Sequence, residues 1–183
     1  MRYRLRLLYD IGGYLAAACL CLICTLITAQ ILGRIIDITV TQWGGDRIGL
    51  AIPGLAQISG FLLVGASFLG LAYTFIHGGH IRVTLLIGRL PPAPRAYVEV
   101  ACLSLALALS LYLTWSLYWL LDDSIAFGET SYGLVPIPLW IPQSAMLVGV
   151  SLFCLALVET WLGTLHIALT RPSSFTIDDS GHG

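Results

Sequence analysis

Four long stretches of this chain contain no Asp, Glu, Lys or Arg: 11–33, 48–81, 100–121 and 130–158. A helix of about 20 apolar residues crosses the hydrocarbon core of a bilayer. Inside that core every backbone N–H and C=O must be paired within the protein, which leaves helices and closed barrels as the spanning structures. Each stretch is long enough for one helix. The longest is trimmed to a single span by Pro53 and Gly54 near its start and by Gly78-Gly79 near its end. Spans are expected at about 11–33, 54–76, 96–121 and 140–165.

Composition agrees with that reading. Hydrophobic residues make up 57% of the chain and charged residues 10%, against about 25% charged in an ordinary soluble domain. Nine Arg and Lys against ten Asp and Glu leave a net charge of −1. Too few polar groups are present to clothe a soluble surface, and no basic face is available for a nucleic acid. The expected class is an all-α integral membrane protein. Residues 1–183 form one membrane domain of four transmembrane helices. Short interfacial segments are expected between spans one and two and after span two.

The connections carry their own signals. Arg2, Arg4 and Arg6 before an apolar run resemble a secretory signal, whose apolar region is roughly 7–15 residues long. Here apolar sequence continues to Leu32, so an uncleaved first span is expected. Arg34 and Asp37 sit at i, i+3 and can pair. The 35–48 stretch, with Trp43, Asp46 and Arg47, is too polar to span and reads as an interfacial stretch or short surface helix. Pro91, Pro92 and Pro94 force a break before span three. The 122–135 loop holds three acids and no base. Pro136, Pro138 and Pro142 lie at the entrance to span four, where missing N–H groups cost least. A polar tail, 171–183, follows. Within span two, Ala66 and Gly70 make a small-xxx-small pair that lets another helix approach closely.

Arg distribution sets the orientation. Arg2, Arg4, Arg6, Arg82, Arg89, Arg95 and Arg171 fall on one side of a four-span chain, and only Arg34 and Arg47 on the other. Positive residues collect in cytoplasmic loops. Both termini and the 77–95 loop are therefore expected in the cytoplasm, beside anionic lipid.

Few residues offer chemistry. Ionisable groups at membrane depth are functional candidates by default, and two qualify, Glu99 and Glu159. Glu99 lies at i+4 from Arg95 and can pair with it. Glu159 has no base in register on its own helix, so Arg82, Arg95, a partner subunit or a headgroup is its expected partner. One carboxylate near one face makes no proton path across a bilayer. His77, His80 and His166 fall at helix ends, where a His suits the negative pole of the dipole. A four-helix membrane cytochrome needs facing His pairs at bilayer depth, and the expectation here is no metal and no cofactor. Cys21 and Cys24, at C-x-x-C spacing in an apolar helix, read as small hydrophobes, as do Cys19, Cys102 and Cys154. No nucleophile with a base, phosphate loop or carboxylate dyad is present, so no catalytic residue is expected. The alternative from another class is a membrane-anchor subunit of a redox complex carrying haem or quinone.

The stretch FLLVGASFLGLAYTFIHGGHIRVTLLIGRLPP (61–92) resembles the central signature of the small membrane subunit of TRAP transporters, the tripartite ATP-independent periplasmic systems. The matching residues are Phe68-Leu69-Gly70, then Gly78, Gly79, His80, Ile81, Arg82 and Val83, then Pro91. The segment SYGLVPIPLWIP (131–142) is similar to the family's Pro- and aromatic-rich approach to its fourth span. Thr84 and Gln57 stand where members often carry acidic residues. The resemblance implies a scaffold subunit in the bacterial inner membrane. It implies as partners a large permease subunit that moves the substrate and a periplasmic binding protein that delivers it. It further implies sodium-driven uptake of organic acids without ATP.

Overall fold

The computed structural model describes residues 5–44, 46, 49, 52–77 and 92–170. Four helices account for nearly all of them: α1 (Arg6–Gln42), α2 (Leu55–Ile76), α3 (Pro92–Ala126) and α4 (Trp140–Thr170). Each is long and apolar enough to cross a membrane. The 22 residues of α2 extend about 33 Å and match the hydrocarbon core, whereas the 37 of α1 extend about 55 Å and outlast it.

Helix ends follow local chemistry. Residues 35–42 of the stretch read as interfacial continue α1 without a break. No Gly or Pro follows Gly33 until Gly44, which takes a positive φ of 80°. Span three begins earlier than expected, at Pro92, and ends later, at Ala126. Pro92 and Pro94 do not stand before the helix but form its first turn, where an amide hydrogen would have no intrahelical acceptor. Gly54 stops the chain ahead of α2 with φ 73°, a conformation that favours glycine.

The helices pack as a row. α1 lies against α2, α2 against α4, and α4 against α3, with a minor α1–α4 contact. Late α2 and the middle of α4 share one core layer of Ala72 and Ala156, closed by Tyr9 from α1. A second layer joins Leu117 of α3 to Val150 and Cys154 of α4, with Phe68 of α2 packed against it. Small residues let the centre close. A Cβ on Gly149 would fall 2.4 Å from the Phe68 carbonyl group, and one on Gly12 would fall 2.8 Å from the Leu69 oxygen. Ala66 is buried, and a Cβ on Gly70 would meet the Ala16 methyl at 3.5 Å. The small-xxx-small pair of span two therefore serves packing inside the chain.

Candidate functional site

Polar side chains gather at the two ends of the row. Many hydroxyls within the spans bond to their own helix. Thr25, Thr28, Ser67, Thr74, Ser104, Ser151 and Thr160 each donate to the carbonyl four residues earlier, at 2.7–2.9 Å. Such bonds need no partner from another helix. Among the described residues, two side-chain hydrogen bonds cross between α3 and α4. Trp161 Nε1 donates to Ser104 Oγ at 2.8 Å, and Thr114 Oγ1 meets Cys154 Sγ at 3.4 Å.

At the first end, the start of α1 meets the end of α2 and the middle of α4. The Tyr9 hydroxyl donates to Glu159 Oε2 at 3.2 Å, and Tyr9 is fully buried. Asp10 faces two bases: Arg6 Nε at 3.8 Å on its own helix and His77 Nε2 at 3.9 Å beyond α2. His77 Nδ1 lies 2.9 Å from the Tyr73 oxygen, and its ring stacks on Tyr73 at 4.1 Å. Nδ1 thus faces the Tyr73 carbonyl at hydrogen-bonding distance, while Nε2 faces the Asp10 carboxylate beyond it. The C-capping role read for His77 is what the geometry places there. His166 is exposed on α4.

Tyr9 carried no signal in the sequence beyond a polar-headed aromatic at the mouth of a span. A neutral donor meets part of the Glu159 need for a partner. The other residues singled out at this end, Gly78, Gly79, His80, Ile81, Arg82 and Val83, lie outside the described residues, as does the Arg95 side chain. The tail 171–183 lies outside them too. Glu99 sits half-buried in the second turn of α3.

At the second end, the start of α2 meets the loop between α3 and α4. Gln57 Nε2 donates to Ser131 Oγ and, at 2.9 Å, to the Val135 oxygen. The Ile137 N–H donates to Ser131 Oγ at 3.2 Å. Ser124, fully buried, donates to Glu129 Oε2 at 2.9 Å. Gln30 of α1 accepts the Ile52 N–H at 2.8 Å, and Asp37 Oδ1 accepts the Gly49 N–H at 3.3 Å. Gln57 thus has a structural task that suits an amide: its principal contacts need a donor, which a carboxylate lacks.

The long faces of the flanking helices remain uncovered. Only 6% of the most apolar part of α1 is buried, against 28% for α4. On α3, Leu105, Leu109, Tyr112 and Trp115 are each more than 60% exposed. Large exposed patches mark lipid or partner contact. Among the described residues, no three His, Cys, Asp or Glu side chains converge as a metal-ligand set.

Comparison with protein-family models matches residues 23–166 to the family described as tripartite ATP-independent periplasmic transporters, DctQ component. Comparison with curated proteins and with solved structures gives no match. The matched segment begins inside α1, ends inside α4 and holds both end clusters except for Arg6, Tyr9 and Asp10. It is a transporter-component family rather than an enzyme family. With four membrane-spanning helices, a small-residue centre and most of its length under one family description, the chain belongs to the DctQ component family of the tripartite ATP-independent periplasmic transporters, as a small permease subunit.

Proposed function

We propose that this small subunit is a fixed scaffold for a large permease subunit in the bacterial inner membrane. The complex takes organic acids from a periplasmic binding protein and is driven by a sodium gradient. The termini and the 77–95 loop are cytoplasmic, with Arg82, Arg95, Glu99 and Glu159 engaged in pairing there or at the subunit boundary. The observation that carries the scaffold reading is the contrast between a tightly closed centre and the uncovered apolar faces of α1 and α3. Membrane lipid covers part of those faces, and the large subunit covers the rest. Charge-free spans leave little at mid-depth to hold a substrate, which suits support rather than carriage.

Co-expression with the large permease, purification and reconstitution test the reading. The two subunits are expected to co-purify. Uptake is expected only with both subunits, binding protein and an inward sodium gradient. Full uptake by the large subunit alone, or by this chain alone, overturns the scaffold role. Uptake indifferent to sodium overturns the driving ion. Cysteine labelling in intact cells checks orientation: Ser131→Cys is expected to react from outside and Ser173→Cys is not.

A further inference from the structure

The far end of α3 is closed by a left-handed glycine. Gly128 takes a φ of 61°. Its N–H bonds to the Ile125 oxygen at 3.3 Å, and the Glu129 N–H reaches back to the Ser124 oxygen at 3.0 Å. This Schellman arrangement satisfies the last carbonyls of a helix. It also turns the chain so that the Glu129 side chain returns to the helix end, where Ser124 Oγ donates to its Oε2 at 2.9 Å. A carboxylate is thereby held at the negative pole of α3, in addition to Asp122 and Asp123 in its last turns, and acids at that pole are unfavourable for the helix. No Lys or Arg occurs between residues 96 and 170 to offset them.

Under the turn lies a cavity of about 440 Å³, walled by Ser124, Ile125, Glu129, Thr130, Pro138 and Trp140. Ser124 is fully buried, whereas Glu129 and Trp140 are exposed. The packing of α3 on α4 brings one more acceptor to this level. Ser104 meets Trp161, Thr114 meets Cys154, and Leu117 packs with Val150. The two helices therefore run antiparallel in a register that sets Gln143 level with Ser124, on the side of α4 that carries Trp140 three residues earlier. Gln143 is 9% exposed, and its Oε1 is buried without a hydrogen-bond donor. In membrane surroundings such an oxygen is costly.

Depth and charge select what fits. The charge-free run of α3 ends at Leu121, and Ser124 lies three residues on, about 4.5 Å along the axis. The headgroup layer adds roughly 5–7 Å to each side of the hydrocarbon core, so the cavity stands at headgroup depth, beside a tryptophan at the entrance to a span. We propose that it binds the primary ammonium group of an aminophospholipid, the chemistry that phosphatidylethanolamine carries. An ammonium brings three donors and no acceptor. Glu129 offers a charge-assisted bond, Ser124 and Gln143 offer oxygens, and the Trp140 indole favours a cation beside it. A choline headgroup has no N–H to donate. An anionic headgroup meets acids with no base on α3, α4 or their connection.

Native mass spectrometry of the full chain in detergent tests the site, with phosphatidylethanolamine, phosphatidylcholine and phosphatidylglycerol of identical acyl chains added stepwise. Phosphatidylethanolamine is expected to bind at least about fivefold more tightly than either of the others. Glu129→Gln is expected to abolish that preference while the chain stays folded, because an amide oxygen still accepts from Ser124. The double variant Asp122→Asn with Asp123→Asn removes two nearby charges that do not wall the cavity, and it is expected to keep the preference. Equal binding of the three lipids by the parent chain overturns the proposal. So does a preference that survives Glu129→Gln, or one that the aspartate variant loses as fully as Glu129→Gln does, which would reveal diffuse surface charge. Excess free ethanolamine separates the sources: weak displacement shows that the lipid is the ligand, and full displacement that a soluble amine serves equally, and both results support the ammonium site.

Discussion

The outer helix α1 and the inner helix α4 are built from similarly apolar sequence, yet 6% of the most apolar part of α1 is buried against 28% of α4, with α2 and α3 between them at 17% each. The centre closes on glycine and alanine: Gly65, Ala66 and Ala72 on α2, Gly149 and Ala156 on α4. The flanks display leucine, isoleucine and aromatic rings to the outside. In water the large apolar residues would be the buried ones. In lipid there is no hydrophobic force to bury them, so close backbone approach and dispersion decide which surfaces meet. Close approach at these small residues, rather than polarity, sets where the helices meet, and Tyr9, Leu117, Val150 and Leu157 fill the space around them.

The sharpest way to break that comparison is to add volume at the centre. Gly149→Leu drives a side chain into the Phe68 backbone and is expected to abolish the folded bundle. Gly149→Ala is expected to cost about 1–3 kcal/mol net, even after the better helix propensity of Ala. Gly60 has nothing within 4 Å of its Cβ position, so Gly60→Ala is expected to be neutral or stabilising by up to about 1 kcal/mol. Thermal denaturation in detergent compares them. Equal stability of the two alanine variants would show that the centre is loosely packed.

The next effect concerns the tie between flank and centre. Tyr9→Phe takes from the half-buried Glu159 the hydroxyl that donates to it at 3.2 Å and is expected to cost about 1–3 kcal/mol. Glu159→Gln keeps an acceptor for the tyrosine and is expected to be milder. The double variant is expected to be less harmful than the sum, because the contact between the two side chains can be lost only once. Strict additivity would show that the 3.2 Å contact carries no coupling.

A smaller change is expected at the opposite end. Gln57→Glu removes the donor to the Val135 oxygen and sets a carboxylate against it. It is expected to loosen the 127–139 loop at a cost of about 1–2 kcal/mol. Faster thiol labelling of Leu134→Cys in that background is the readout, with overall melting little changed.

The smallest stability effect belongs to the flank itself. Leu109→Ala and Tyr112→Ala, on the exposed face of α3, are expected to shift the stability of the chain by less than about 0.5 kcal/mol. The same variants are expected to lower co-purification with a large subunit if that face is the boundary. A large loss of stability in the chain alone would show that α3 is packed on both sides.

Much of the architecture was legible because the signal was electrostatic. Charge-free runs between Asp10 and Arg34, and between Glu99 and Asp122, bracket helices that the structure carries through those limits. The ends were less legible. Asp122 and Asp123 read as a stop, but α3 runs one turn further because a helix leaving the bilayer has no reason to end at the first charge. Pro92 and Pro94 read as a break, and they are the first turn of the helix. Glu159 was singled out from its depth alone, and its donor was not, because Tyr9 lies 150 residues away and only the row order of helices brings them together. Gln57 read as a departure from family habit, and the structure supplies its task.

What the sequence by itself determined is the number of spans, their approximate limits and their apolar character. Uncharged length is a one-dimensional property, and the membrane imposes it locally. Which helices meet was decided only in three dimensions. Lipid makes every apolar face equally acceptable, so periodicity carries little information about neighbours. The choice fell to shape: Gly12 against Leu69, Gly149 against Phe68, and a tyrosine hydroxyl placed within reach of one carboxylate. Those contacts depend on several helices at once, and no window along the chain contains them.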